Sequence, residues 1–557
     1  MNPSPGSASA ARTLAAHTGR APQGRRRFQE AARKFLFGSP LLNGQMDKRG
    51  IISDLLVGES GTAMSSSLAG PLRAEKKISG SVGEKCAPDV LLLSSSLFID
   101  RILLYTRLLS RLGRAATVKV WATSAQSPHS REVWGARSAP VEDFPAVSPF
   151  KEFPYNYLRR LNEFVWDFRQ RPPSRLSMMR HLWDKTQKPR VRALKLPARA
   201  LALVRAERPL EDRLERLLLS YQRSPEASER LRADPPAVVV TTGPYQFEQP
   251  AVVAAAKNLG IPTLAFIPSW DNVSTKNRLT FKYDGYLVWS EQTKRELHHF
   301  YPYTRRVPVY VVGAPQFDPF FQERFRQSRA EFCAGQGLRP ELPIILYAIS
   351  SPNVFREHHG ALYLAERVAR GDLGDLQMII RPNPIHDFVE VAELARKFSP
   401  RVIMQRTSES GLALTARSQS ERQVTEWVNT FRHADVVVNL SSTVTVDAAI
   451  FDRPVVNLDY DPEPGRPRQA LVKEVNHRWT HFKPIAESGG VWLANVPEEV
   501  VAAVRTYLAH PGLHREGRRW IAEYVCGYLD GRCGERMAEA ILDFVHHHTK
   551  GRAGHGD

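Results

Sequence analysis

The segment that decides the fold is Ala434-Asp-Val-Val-Val-Asn-Leu-Ser-Ser-Thr-Val-Thr-Val-Asp447. A run of β-forming apolar residues ends in the small hydroxyl residues Ser441, Ser442 and Thr443, and a helical pattern begins at once. A buried parallel strand that turns into the helix of a βα unit has this pattern. Because ligands of open parallel sheets bind outside the carboxyl ends of the strands, the residues after this strand are the first candidates for chemistry.

Similar units surround this segment. Ile344-Ile-Leu-Tyr-Ala ends at Ser350 and Ser351, Gln377-Met-Ile-Ile-Arg ends at Pro382, and a further apolar run begins at Pro454. Upstream, strands are predicted at 89–96, 116–122, 236–243, 261–267, 286–290 and 309–313, with helices at 250–259 and 291–300. A strand–helix–strand rhythm of this kind indicates parallel pairing with helices on both faces of the sheet.

The two runs of units predict two Rossmann-like α/β domains that face each other across a cleft. The predicted boundaries are an N-terminal domain at 86–315, a linker at 316–337, a C-terminal domain at 338–510, and helices that cross back at 511–546. Residues 125–233 break the rhythm and predict a basic helical insertion, not another βα unit. Residues 1–85 and 547–557 are predicted to be disordered tails, with a transit peptide as the alternative for the basic N-terminal one.

Charge is concentrated in the insertion. The chain has a net charge of +19, and 14 Lys or Arg against 4 Asp or Glu lie in 151–205. This indicates a polyanionic partner, although a solvated basic face is the alternative. No nucleic-acid-binding motif accompanies the charge, which leaves an anionic membrane surface or an anionic glycan. The four cysteines and the lack of a long apolar run favour a cytoplasmic protein. A peripheral position at the inner face of the membrane is a further expectation.

The residues after the strand at 435–439 are suited to phosphate. Hydroxyl groups and free backbone N–H groups at a helix N-terminus, here Ser441, Ser442 and Thr443, form an anion site. Asp447 lies one turn further on and is placed to accept hydrogen bonds from a ribose or sugar hydroxyl. The alternative is that the hydroxyl residues only cap the helix and that Asp447 only complements its dipole.

Four segments resemble GT-B-fold glycosyltransferases and their relatives, the non-hydrolysing UDP-GlcNAc 2-epimerases and the CDP-glycerol glycerophosphotransferases. They are Ser441–Leu458, Ile379–Pro384, Gly285 to Asp318, and Leu529–Met537. The second is similar to a strand–Arg–Pro–His–Pro element of the glycerophosphotransferase group, with Asn383 in place of the histidine. The loop at 441–447 also lacks the Gly-Gly and paired acidic residues typical of the epimerases.

The resemblance implies that a nucleoside diphosphate lies between the domains and is held mainly by the C-terminal one. Arg381 would then offset phosphate charge, Ser350 and Ser351 would contact the pyrophosphate, and His386 would donate to phosphate or sugar. The alternatives are a surface ion pair for Arg381 and an ordinary surface histidine for His386. The resemblance implies no cofactor beyond the nucleotide-sugar substrate.

Two carboxylates are candidates for the group that takes the acceptor proton. Asp271, in the loop after the strand at 261–267, is the first choice, and Glu248, after the strand at 236–243, is the second. An Asx turn is the alternative role of Asp271. No metal is expected, because helix N-termini and Arg381 can supply positive charge.

The sequence therefore predicts a metal-independent GT-B glycosyltransferase that moves a sugar from a nucleoside-diphosphate sugar to a hydroxyl acceptor. The expected setting is synthesis of a surface polysaccharide or glycolipid, with a glycan or lipid-linked acceptor. The alternatives are a same-fold phosphotransferase or sugar 2-epimerase, and a non-catalytic scaffold that binds polyanions or membranes. The sequence leaves open the base, the sugar, the acceptor, the stereochemical outcome and the oligomeric state.

Overall fold

The computed structural model describes residues 90–135, 141–149, 153–183, 187–203, 207–245, 248–352, 354–384, 389–405, 407 and 417–553. The predicted N-terminal tail at 1–85 lies outside the described residues.

The first sheet contains seven parallel strands. They are β1 (Val90–Ser94), β2 (Val118–Ala122), β3 (Val141–Asp143), β4 (Val238–Thr241), β5 (Thr263–Phe266), β6 (Gly285–Val288) and β7 (Val309–Val311). Their spatial order is β3-β2-β1-β4-β5-β6-β7, so the direction of winding reverses between β1 and β4. The strands are almost continuously apolar because helices cover both faces of the sheet.

The second sheet contains six parallel strands. They are β8 (Ile344–Ala348), β9 (Gln377–Arg381), β10 (Val402–Met404), β11 (Val436–Asn439), β12 (Val455–Leu458) and β13 (Trp492–Ala494). The order β10-β9-β8-β11-β12-β13 is the Rossmann order 3-2-1-4-5-6, with its switch point between β8 and β11. The predicted pair of Rossmann-like sheets is confirmed.

Helices connect the strands. The first domain has α1 (Leu97–Tyr105), α2 (Leu108–Leu112), α3 (Pro128–Gly135), α4 (Tyr155–Gln170), α5 (Pro173–Met178), α6 (Pro189–Ala193), α7 (Lys195–Ala202), α8 (Glu207–Leu219), α9 (Pro225–Ala233), α10 (Gln249–Asn258), α11 (Asn272–Thr275) and α12 (Glu291–Phe300). The linker and the second domain have α13 (Arg329–Gln336), α14 (His358–Arg370), α15 (Val389–Lys397), α16 (Glu421–His433), α17 (Val444–Ile450), α18 (Gln469–Arg478), α19 (Lys483–Ala486) and α20 (Pro497–Ala509). They are followed by α21 (Arg515–Cys526) and α22 (Cys533–Ala553).

The helix ends follow from local residues. Helix α13 begins with a capping box, in which Ser328 and Glu331 satisfy each other's backbone N–H groups, and ends at Gly337 with φ of 69°. Gly260 adopts a left-handed φ of 69° just after α10, as predicted for the residue that closes this helix.

The insertion contains one strand that the sequence did not indicate. Strand β3 lies inside the interval 125–233 and pairs in parallel with β2 at the edge of the first sheet. Its three residues are half-buried or exposed, so no apolar run marks it. The other regular elements described in this interval are helices, and α4 and α7 pack around a small separate core that includes Leu161, Phe164 and Ala198.

Helix α22 returns to the first domain. The Asp318 carboxylate, in the linker, accepts hydrogen bonds from the backbone N–H groups of Cys533 (3.0 Å) and Gly534 (2.7 Å) at the start of this helix. Arg107 pairs with Glu535 at 2.8 Å. The helix packs over β6 and continues to Ala553, beyond residue 546 where the sequence predicts its end. Among the described helices, none has both the length and the apolar composition needed to cross a bilayer.

Candidate functional site

A buried carboxylate occupies the switch point of the second sheet. Glu357, just before α14, is fully buried, and its two oxygens accept the backbone N–H groups of Ser350 and Leu440, each at 2.6 Å. Burial raises the pKa of this carboxyl to about 7, although the hydrogen bonds from Ser350 and Leu440 oppose the shift. The sequence did not single out Glu357. Two amides that could have met a phosphate are therefore already engaged.

The predicted hydroxyl residues follow β11 directly. Ser441 has a left-handed φ of 38°, and its hydroxyl donates to the Asn476 side chain at 2.5 Å. Ser442 donates through both its backbone N–H and its hydroxyl to Asn439, at 3.1 Å each. The Thr443 side chain makes no capping bond to α17. Ser442 therefore stabilises the turn between β11 and α17, whereas the predicted alternative was that the hydroxyl residues cap the helix. A strained, half-buried Ser441 marks the turn itself.

Asp447 lies between two arginines from different domains. Its carboxylate is buried and accepts the indole N–H of Trp427 at 2.9 Å. Burial raises the pKa of Asp447 to about 6, against the opposing effects of Arg101, the Trp427 hydrogen bond and Arg381. Arg381 is the last residue of β9, and Arg101 lies in the second turn of α1, the helix that follows the strand β1 of the other sheet.

Both guanidinium groups are buried, and neither has a described carboxylate within ion-pair distance, although Asp447 acts electrostatically on both and Glu426 on Arg381. Arg101 lies over the Trp427 ring at 3.9 Å and donates to Gln419 and Gln316 only at 3.4 Å, and its Nε has no partner among the described residues. Arg381 donates to Gln405 at 2.8 Å. Neither forms an ion pair within 4.0 Å with a described carboxylate, so the predicted alternative for Arg381, a surface ion pair, does not occur there.

This geometry can bind an anion. Burial lowers the pKa of Arg101 to about 10, with Asp447 opposing the shift, so the group stays charged at neutral pH. These two arginines would give up few hydrogen bonds when an anion binds. The binding free energy per contact is therefore larger than for arginines that water already solvates. Arg101 was missed because it lies in the other domain, far from the C-terminal motifs in the sequence.

The first candidate for the proton acceptor, Asp271, is held by its own turn. Its carboxylate accepts hydrogen bonds from the side chains of Ser269 (2.5 Å), Asn272 (3.1 Å) and Thr275 (2.9 Å). It accepts no backbone N–H at the start of α11, so these bonds do not form the predicted Asx turn. Burial raises the pKa of this group, but nearby His481, Lys276 and these hydrogen bonds outweigh burial and leave the pKa lowered. Asp271 is therefore ionised at neutral pH.

Asp271 also meets the second domain. His481, between α18 and α19, packs edge-on against Trp270 at 4.9 Å, and its Nδ1 lies 3.5 Å from the Ser274 hydroxyl. Burial lowers the pKa of His481 to about 4 despite the neighbouring Asp271. The imidazole is therefore neutral at physiological pH. The sequence analysis did not select this histidine.

The second candidate, Glu248, is half-buried just before α10. The next residue, Gln249, occupies the switch point of the first sheet instead. Its side-chain oxygen accepts the backbone N–H groups of Thr242 (2.9 Å) and Gly243 (2.8 Å), and its amide donates to Ser95 at 2.8 Å. Of the remaining predicted residues, Ser351 follows β8 as expected, and His386 lies outside the described residues.

Comparisons with known proteins give distant structural likenesses alone. No family model matches the chain, and no curated protein matches it. A UDP-GlcNAc 2-epimerase from Neisseria meningitidis bound to UDP-GlcNAc is similar over 82% of this chain and 99% of its own, at 12% identity and a TM-score of 0.46. A glycosyltransferase from Rickettsia africae is similar over 81% and 98%, at 12% identity and a TM-score of 0.44. The wall teichoic acid polymerase TagF is similar over 57% and 73%, at 12% identity and a TM-score of 0.37.

These are proteins of the kinds that the sequence motifs resemble, but likenesses at this level carry no argument about activity. The fold assignment depends on the two parallel sheets, each wound outward from a central switch point, and on the helix that returns to the first sheet. The protein has the two-domain α/β architecture of the GT-B fold.

Proposed function

We propose that the protein is a glycosyltransferase that moves a sugar from a nucleoside-diphosphate sugar to a hydroxyl acceptor. The observation that carries this proposal is the pair of buried guanidinium groups, Arg101 and Arg381, which have no carboxylate within 4.0 Å among the described residues. One comes from each domain, and both act electrostatically on Asp447, in the helix that follows Ser441–Thr443. A diphosphate between the domains would meet both charges.

In the proposed reaction the acceptor oxygen attacks the anomeric carbon while the bond from that carbon to the diphosphate oxygen breaks. Negative charge grows on the leaving diphosphate, and fixed cations aimed at that charge lower the barrier. The acceptor proton passes to the Asp271 carboxylate, with Glu248 as the second candidate. Because Glu357 holds the amides of Ser350 and Leu440, the phosphate contacts would come from the two arginines and from the hydroxyls of Ser351 and Thr443. Independence from a metal is part of the proposal.

A second candidate is a non-catalytic scaffold that keeps the fold and binds polyanions. The engagement of Glu357 with two switch-point amides favours it, because these amides are a common phosphate contact in Rossmann-like sheets. A same-fold sugar epimerase or glycerol phosphotransferase would use the same anion site and differ in its products.

A thermal-shift panel tests the anion site. UDP, GDP, CDP, CMP, ADP and common nucleotide sugars are compared on wild type, Arg101→Gln and Arg381→Lys, with Ser328→Ala as the control. Ser328 caps α13 outside the site, so this control lowers stability without touching the arginines. A ligand at about a hundred times its Kd adds about 2.7 kcal/mol of stability. A shift selective for one diphosphate, reduced in both arginine variants and kept in the control, supports the donor site. No shift with any nucleotide favours the scaffold.

Product analysis separates the enzymes. A glycosyltransferase releases the free nucleoside diphosphate only when an acceptor is present, whereas an epimerase changes the sugar while it stays linked. Asp271→Asn is expected to lower kcat by ~10²-fold or more with little effect on the nucleotide thermal shift, as loss of a general base does. Equal loss of nucleotide binding in this variant would show that Asp271 is only a structural residue.

The acceptor is proposed to be a glycan or a lipid-linked molecule. An anionic membrane surface is proposed as a further partner through the basic segment 151–205.

A further inference from the structure

We propose that the outer face of α6 and α7, formed by Arg192, Leu196, Arg199 and Leu203, docks onto an anionic lipid bilayer. This outer face is exposed: Leu196 has 71% and Leu203 has 85% of its surface open to solvent, and both arginines are exposed. The inference rests on the membrane partner proposed for 151–205, names the residues that would contact it, and does not depend on the donor site.

The spacing places these residues together. Arg192, Leu196, Arg199 and Leu203 follow one another at intervals of four, three and four, which in a helix gives a single stripe. Leu194 joins α6 to α7 with helical φ and ψ of −61° and −19°, so the stripe passes across both short helices. Ala193 and Ala200 are exposed beside it and leave the two leucines unobstructed.

The opposite face explains why the outer leucines are not needed for folding. Leu194 and Ala198 are buried in the small core with Leu161 and Phe164 of α4. Arg169 of α4 donates to the Leu201 carbonyl at 3.1 Å and fixes the end of α7. The pair of helices is therefore anchored by its inner face, while large apolar side chains remain on the outer one. An exposed apolar patch with a polar rim marks a surface that meets a partner, and Leu196 and Leu203 with the two arginines form such a patch.

The charge selects the partner. Residues 185–206 contain seven Lys or Arg and no Asp or Glu. Arg190 and Arg192 form no ion pair with a described carboxylate. Clustered basic residues are attracted to anionic headgroups, and leucines between them enter the acyl boundary, so a bilayer satisfies both features. A nucleic acid or an anionic glycan would satisfy the arginines but leave Leu196 and Leu203 in contact with water or phosphate.

Vesicle sedimentation with the full chain tests the proposal. Vesicles of phosphatidylcholine alone are compared with vesicles in which one lipid in four is phosphatidylglycerol. The test variants are Leu196→Ser with Leu203→Ser, and Arg192→Gln with Arg199→Gln. The matched controls are Leu513→Ser, an exposed leucine just before α21, and Arg305→Gln with Arg306→Gln, two adjacent exposed arginines of the first domain.

The expected result is binding to the anionic vesicles, with partition coefficients roughly tenfold or more lower in each double test variant and unchanged in the controls. Unchanged melting temperatures show that the variants fold. Equal binding to both vesicle types, no binding to either, or full binding by the leucine variant would overturn the proposal. Vesicle binding is measured without nucleotide, so its failure leaves the donor-site proposal untouched. RNA binding that needs the arginines but not the leucines would assign the outer face to nucleic acid instead.

Discussion

Replacing Glu357 with glutamine should change the stability of the protein and also its dependence on pH. In the wild type both carboxylate oxygens accept backbone N–H groups, from Ser350 and Leu440. The glutamine side chain has one oxygen, so one of these buried N–H groups would face an NH₂ donor. An unsatisfied buried donor costs about 1–3 kcal/mol, and this cost applies at every pH.

The wild type carries a pH-dependent loss of stability that the glutamine variant lacks. Burial raises the pKa of Glu357 from 4.5 to about 7, so the folded chain binds this proton more tightly than the unfolded chain does. Its contribution to stability is complete below the unfolded pKa and is lost as the pH rises through the folded one. Ionisation thus lowers the wild-type free energy of unfolding by about 3 kcal/mol at the alkaline end. The variant should be clearly less stable than wild type near about pH 5, and the difference should shrink or reverse by about pH 8.

Urea unfolding followed by far-ultraviolet circular dichroism at a series of pH values measures this difference. Glu331→Gln is the control, because hydrogen bonds from Ser328 lower the pKa of this exposed carboxyl in the folded chain. Its stability contribution is present above its ordinary pKa, so the control's deficit should stay constant between about pH 5 and about pH 8. A constant difference between wild type and Glu357→Gln over the same range would refute the reasoning.

Two further predictions concern packing and the buried anion site. Trp427→Phe removes the indole N–H that Asp447 accepts at 2.9 Å, so it should lower the free energy of unfolding by about 1–3 kcal/mol in a urea titration. Gly490→Ala would place a Cβ 2.4 Å from the Gly517 carbonyl carbon, and should destabilise by about 1–3 kcal/mol because backbone must move. Gly335→Ala, in α13 with nothing within 4 Å, should instead stabilise by about 0.5–1 kcal/mol. Thermal denaturation of the two alanine variants measures this difference in stability, and similar melting temperatures would contradict the prediction.

Most of the fold could be predicted because the strands are buried on both faces. Strands such as β1, β8 and β11 are uninterrupted apolar runs that end in small polar residues, a signal carried by neighbours in the sequence. Strand β3 was not predicted, because an edge strand of three partly exposed residues needs no apolar run. Its pairing with β2 is a tertiary contact that local periodicity does not encode.

The candidate site was predictable only in part, because local sequence patterns do not encode tertiary contacts. Asp447 and Arg381 stand at strand and helix ends, where chemistry is expected in any parallel sheet. Arg101 and Glu357 take their meaning from partners far along the chain: Arg101 lies over Trp427, and Glu357 joins the ends of two strands. A long-range signal of that kind is absent from composition and spacing. The buried, unpaired state of the arginines became visible only with the fold.

The return of α22 to the first sheet has a consequence for how the molecule is made. Tyr310 of β7 donates to Asp543 of this helix at 2.8 Å, and Phe544 lies directly against Gly285 of β6. On a ribosome the seven strands of the first sheet emerge long before these partners, and the whole second sheet is synthesised in between. The nascent first domain therefore lacks the helix that packs on β6 until the second domain has been synthesised. Its packing is completed only when α22 has been made. Shortening the chain from its C-terminal side would damage the domain that was synthesised first.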